Sequence, residues 1–374
     1  MFVQPLEGAK RAIAALRASL HFNLALRTGL TSGTVTFPAE FAAHPPYDEW
    51  KKLDHSVALS RLYLIYESLV HECVSEWLET LCHFVPYNAL PEKVKTTHRD
   101  GIGYILQNLE GRRFSTISVP VLVKEYQEAL SQNQPYKLHA DAFLLHDRNL
   151  RVDELQKLIG SCGLELGLSD WLRNHRLFSG DESLQLIGHA TVEKAISALV
   201  DLRNEVSHAT RQVGEIFGEE VLIAYTNFVE SLIDAIVEGF THAAMKWHAE
   251  YGAWSAAGKI NFVVTDDKHI CVAPLTSCKV RSGMTIFMKG KGHCCRTEIV
   301  EIRVNDAPVP EYTVVQAQEI GLRLSTAAIK GSEIFIRTDP PAIHRPTNPN
   351  EVDLKDSDAS DDENTAEEVD EIGQ

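Results

Sequence analysis

No apolar run in this chain approaches the ~20 residues needed to cross a bilayer, so no membrane-spanning helix is expected. The phosphate loop GxxxxGK(S/T) is missing, which excludes P-loop nucleotide hydrolysis. So is the nucleophile elbow GxSxG, which argues against Ser–His–Asp hydrolase chemistry. Cys73, Cys82, Cys162, Cys271, Cys278, Cys294 and Cys295 show no zinc-ligand spacing, and the adjacent pair Cys294–Cys295 is not a redox CxxC. Reduced thiols in a cytoplasmic protein are expected, with no metal and no cofactor. The opening MFVQPLEGAKRAIAALRASL lacks the apolar core and cleavage site of a signal peptide.

What is present points to a globular protein with a sizeable core. The chain has 374 residues, 44% of them hydrophobic, enough for two domains of ordinary size. Its net charge of −16 is unevenly placed. From Glu351 onward there are 11 acidic residues against the single Lys355, a net of −10, so the preceding 350 residues carry only −6. Such a like-charged block is expected to be a disordered, solvating tail.

The apolar periodicity predicts a mainly helical first part. Ile13, Leu16, Leu20 and Leu24 mark a first helix over about residues 6–26, followed by a loop or short hairpin rich in Gly, Thr and Pro. In HSVALSRLYLIYESLVHECVSEWLETLC, Leu59, Leu62, Tyr66, Leu69, Cys73, Trp77 and Leu81 form one stripe at the helical period. Further helices are expected over 94–107, 119–131 and RNLRVDELQKLIGSCGL. Thr191 is a plausible N-cap for a helix whose core face is Val192, Ile196, Leu199, Leu202 and Val206. VLIAYTNFVESLIDAIVEGFTHAAMKW closes the series. At Gly258 the text changes to short runs rich in Ile, Val, Thr and Phe separated by turn residues, which predicts a small all-β domain, a barrel. The expected organisation is multidomain α + β: an N-terminal helix and loop over 1–45, a helical bundle over 46–250, a β-barrel over 258–338 and a disordered acidic tail over 339–374.

One polar constellation interrupts the bundle text. In LVDLRNEVSHAT, Arg203, Asn204 and His208 lie within six residues. On a helix, Asn204 and His208, four apart, share a face, while Arg203 sits about 140° from His208 with the reach to swing around. Leu202 and Val206 keep the opposite side in the core, so the trio is expected to face outward. A guanidinium matches phosphate oxygens, and an imidazole titrates near neutral pH. RNA brings its own nucleophile, the 2′-hydroxyl, so the set suits phosphodiester cleavage in RNA. By spacing alone, an Arg and a His on a solvated helix face is a common pattern.

RNEVSHA, near the end of a helical bundle and before one long closing helix, resembles the signature of the HEPN superfamily. RLYLIYESLVHECVSEWLETL looks like the opening helix of HEPN nucleases, and RNLRVDELQKLIGSCGLEL like the segment before the signature helix. The likeness covers about residues 50–250 and lies nearest to nucleases of bacterial defence and toxin systems. It implies a metal-independent endoribonuclease that leaves a 2′,3′-cyclic phosphate. Arg203 would bind and polarise the scissile phosphate, His208 would be general base or acid, and Asn204 would position His208 or the phosphate. An acidic residue of the opening helix would order the site, with Glu72 favoured over Glu67 because of its polar face. It further implies a homodimer with a composite site, tRNA or ribosomal RNA as substrate, and a protein partner that neutralises or triggers. The competing reading is a non-catalytic interaction or RNA-binding scaffold of the same fold.

The barrel text resembles the second domain of translational GTPases. The likeness rests on Val280 to Gly283, Lys289-Gly290, the strand over 297–302, Gly321-Leu322-Arg323-Leu324 and Lys330-Gly331. Ala317-Gln318-Glu319 departs from the usual Ala-Gly turn. The likeness implies docking on structured RNA, with Lys279, Arg281, Lys289, Lys291 and Arg296 as a modest positive group. A generic packing module is the alternative.

Overall fold

The computed structural model describes residues 1–36, 45–111, 113–131, 136–145, 149–208, 216–252 and 254–338, except the side chains of Ser207 and His208. Ten α-helices precede a β-barrel among these residues. The long ones are α1 (Val3–Ser32), α2 (Tyr47–Phe84) and α10 (Glu219–Glu250), which pack on one another. Between them run α3 (Glu92–Gln107), α4 (Val119–Leu130), α5 (Ala140–Phe143), α6 (Val152–Ser161), α7 (Leu168–Asn174), α8 (Glu182–Leu186) and α9 (Val192–His208). No described helix is long and apolar enough to cross a membrane. Residues 339–374, where the acidic tail is expected, lie outside the described set, as does most of the loop after α1.

α2 organises the bundle. Its predicted stripe, Leu59 through Leu81, is buried throughout, and the helix starts directly after Pro45–Pro46, residues that cannot extend it backwards. Three indole N–H groups then tie the α6–α7 segment to the long helices. Trp77 donates to Cys162 O at 2.9 Å, Trp247 to Gly163 O at 2.9 Å and Trp171 to Ala235 O at 2.8 Å. The first two satisfy carbonyls at the end of α6 that have no helical partner, and the third adds a second bond to a carbonyl within α10. α9 packs on α2, and Thr191 caps it as expected, its Oγ1 accepting from Lys194 N at 3.3 Å.

The barrel has six strands in the closed order β1 (Trp254–Lys259), β10 (Glu333–Arg337), β5 (Thr285–Gly290), β6 (His293–Val304), β9 (Gln318–Leu324) and β3 (Ile270–Leu275). β1 returns to β3 at Gly258 opposite Leu275, where β1 also slips register. A Cβ at Gly258 would collide with the Pro274 carbonyl, so closure requires glycine there. β2 (Phe262–Val263) and β7 (Ala307–Val309) add to the rim, and β4 (Cys278–Arg281) pairs with β8 (Glu311–Val314) as a separate ribbon.

Strand alternation explains how the barrel meets the helices. Ile286, Met288, Ile334 and Ile336 fill its interior, whereas Phe287 and Phe335 point outward and join the helical core with Cys294. Glu238 of α10 sits at this junction. It accepts from Arg176 Nη2 at 2.6 Å, from Cys294 N at 3.0 Å and from His175 Nε2 at 3.3 Å. His175 Nδ1 accepts from Leu177 N, which leaves Nε2 to carry the proton. Burial alone would raise the Glu238 carboxyl; the His175 hydrogen bond, the Arg176 charge and the Cys294 amide outweigh it and hold the carboxyl at about 2. At the tip of the β5–β6 turn, Gly292 lies so close to the Asn174 carbonyl that any side chain would collide.

Candidate active site

Arg203 does not wave in solvent. Its side chain is partly buried and turns toward α2, with the guanidinium 5.0 Å from the centroid of the Tyr63 ring, a cation–π geometry. One nitrogen, Nη1, donates to Asn204 Oδ1 at 3.1 Å and to Asn149 Oδ1 at 3.5 Å. Asn149 Nδ2 donates to the same Asn204 oxygen at 3.1 Å, closing a triangle of two amides and a guanidinium. Nη2 and Nε, the edge that grips an oxyanion in bidentate fashion, have no hydrogen-bond partner among the described residues.

The floor of this arrangement is rigid for a local reason. Leu150 is fully buried just before α6, where its backbone groups need partners. Tyr63 Oη accepts from Leu150 N at 3.1 Å, and Tyr66 Oη donates to Leu150 O at 2.8 Å. Two tyrosines of α2 thereby stitch down the segment that presents Asn149. Tyr63 in turn donates to Glu67 Oε1 at 2.9 Å. Burial, above all, pushes the Tyr63 phenol well above its ordinary range, so it remains a donor at any physiological pH. Replacing Tyr63 by phenylalanine keeps the ring under Arg203 but strands the Leu150 amide. The expected cost is about 1–3 kcal/mol in urea denaturation; unchanged stability would mean the amide finds another acceptor.

Other predicted residues are placed differently. His208 ends α9, with its side chain outside the described residues; backbone register puts it one turn beyond Asn204 on the same face. Glu72 does not approach Arg203. Nine residues after Tyr63, it lies half a turn out of phase on α2. There it lines a cavity of about 150 Å³ with Pro5, Gly8 and Ala12 of α1 and with Arg61. The carboxylate hydrogen-bonded to Tyr63 is that of Glu67, one turn further along α2. Asn149 and Tyr63 were not expected from the sequence. Beside them Arg151 pairs with Asp201 of α9 at 2.5 Å and donates to Ser197 O at 3.3 Å.

The barrel cations fall on two elements. Lys279 and Arg281 lie on the β4–β8 ribbon, where Lys279 meets Glu311 at 3.0 Å. Lys289, Lys291 and Arg296 belong to the β5–β6 hairpin that abuts the helices; Lys289 Nζ sits 5.3 Å from the Phe335 ring centroid and Arg296 donates to Thr285 Oγ1 at 3.4 Å.

A comparison with curated proteins gave no match. The family model described as RiboL-PSP-HEPN matches residues 49–242, just over half of the chain, from the start of α2 into α10. HEPN domains are commonly ribonucleases or nucleotide-binding modules. The matched span holds Tyr63, Asn149, Arg203, Asn204 and His208 together, and on that extent of match the chain belongs to the RiboL-PSP-HEPN family.

Proposed function

We propose that the protein is a metal-independent endoribonuclease acting through Arg203 and His208, serving as an antiphage-defence effector or toxin. The observation that carries this reading is the guanidinium of Arg203, held by Asn149, Asn204 and the Tyr63 ring on the same helix as His208. The 2′-hydroxyl of the substrate attacks the adjacent phosphorus, the new O2′–P bond forms and the P–O5′ bond breaks. One imidazole takes the 2′ proton, and an acid returns a proton to the departing 5′ oxygen. Arg203 stabilises the charge gathered on the phosphoryl oxygens. Two copies of His208, one from each protomer of a homodimer, would supply base and acid. The barrel brings structured RNA, tRNA or ribosomal RNA, to the site, and a further protein restrains or triggers the activity.

The test is incubation with total tRNA and ribosomal RNA in EDTA, beside His208→Ala and Arg203→Ala. Cleavage by the wild type alone, leaving 2′,3′-cyclic phosphate ends, is expected. Equal RNA binding by all three with no cutting would establish a scaffold instead.

A further inference from the structure

Most arginines with described partners in the helical part meet a carboxylate. Arg17 faces Glu230, Arg27 faces Asp54, Arg151 faces Asp201 and Arg176 faces Glu238. Arg203 instead meets two amide oxygens and an aromatic face. The chemical difference is large. An amide oxygen accepts a hydrogen bond and carries no net charge, whereas a carboxylate at the same distance would cancel the guanidinium's field. The hold on Arg203 is therefore directional but not neutralising, which suits a group that must meet a phosphate with its charge intact.

Asn149 is the residue through which this hold is built. It comes from 54 residues upstream of Arg203, on a segment fixed by both backbone groups of Leu150. Its two amide ends do different work: Oδ1 accepts from Arg203, while Nδ2 donates to the Asn204 oxygen that Arg203 also uses. Both asparagine oxygens are thus turned to the guanidinium. We propose that Asn149 is a charge-preserving positioning residue, which orients Arg203 toward an RNA phosphate without itself neutralising the positive charge. The proposal rests on the role given to Arg203 above.

Asn149→Asp is the discriminating change, because it keeps size and shape and removes only neutrality; Asn204 can rotate its amide to donate to the new carboxylate. Asn149→Ala does the reverse, removing the hold without adding charge. Binding is read with a 2′-O-methyl RNA oligonucleotide, which cannot be cut, over a series of salt concentrations, and cleavage is read with ordinary RNA. Circular dichroism melts confirm that each variant is folded. Asn149→Asp is expected to bind about tenfold more weakly. Its slope of log K against log salt should fall by about 0.7, the loss of one phosphate contact on a single strand. Asn149→Ala is expected to keep the wild-type slope and bind within about threefold, yet to cleave at least tenfold more slowly, because the fork is no longer aimed. Wild-type affinity and slope in Asn149→Asp, or wild-type cleavage in Asn149→Ala, would overturn the assignment. If the wild type binds RNA but cuts none, the nuclease reading fails, and the salt slopes still decide the role of Asn149.

Discussion

Arg203→Ala is expected to slow RNA cleavage by about a thousandfold under single-turnover conditions, roughly 4 kcal/mol of transition-state stabilisation. The size follows from geometry. The guanidinium is already oriented by Asn149, Asn204 and the Tyr63 ring, so little reorganisation remains when charge builds on the phosphoryl oxygens. Arg203→Lys should recover little of the loss. An ammonium lacks the planar fork, cannot use one nitrogen for the amides and another edge for phosphate, and stacks poorly on Tyr63. Ground-state RNA affinity should change far less than the rate, since one phosphate contact among several is removed. A lysine variant with wild-type cleavage would show that a point charge suffices and that the amide triangle has no catalytic consequence.

The second large effect concerns stability. Glu238→Ala should lower the unfolding free energy by about 2–4 kcal/mol at pH 7, because it leaves the buried His175 ring and the Cys294 amide without their acceptor and removes the partner of the exposed Arg176. The pH dependence has a definite sign. The carboxyl ordinarily titrates near 4.5 and is held at about 2 in the fold, so the unfolded chain binds the proton more readily. Its contribution is complete above the ordinary carboxylate range and is lost as pH falls from about 4.5 toward 2. Denaturant titrations of wild type and Glu238→Gln should therefore differ most near neutrality and converge in strong acid. Parallel curves down to pH 2 would mean that Glu238 is not held ionised by its neighbours.

Much of the frame could be read before any coordinates. The α2 stripe is long enough for its period to be unambiguous, and Thr191 signals the start of α9 by the chemistry of its hydroxyl. The short α7 and α8, seven and five residues, carry too few turns for a period to show. Barrel strands were legible from their β-branched runs, but not that Phe287 and Phe335 face the helices, since alternation does not say which side is interior. At the site, Arg203 and Asn204 were found because they are neighbours in sequence. Asn149 was not, because its partner lies 54 residues away and a lone asparagine before a helix reads as a turn. Glu72 drew attention through its exposed face, whereas Glu67 reaches the site through Tyr63.

Gly292 against the Asn174 carbonyl, with Phe287 and Phe335 sunk into the helical core, leaves the barrel no hinge on that side. The barrel shares the helical core through Phe287, Phe335 and Cys294, and it contacts α10, so its distance from α9 is set by the fold. If the barrel holds the RNA as proposed above, the strand would reach Arg203 after a set span of nucleotides. Its products would then share one length counted from the gripped end, whatever the sequence between.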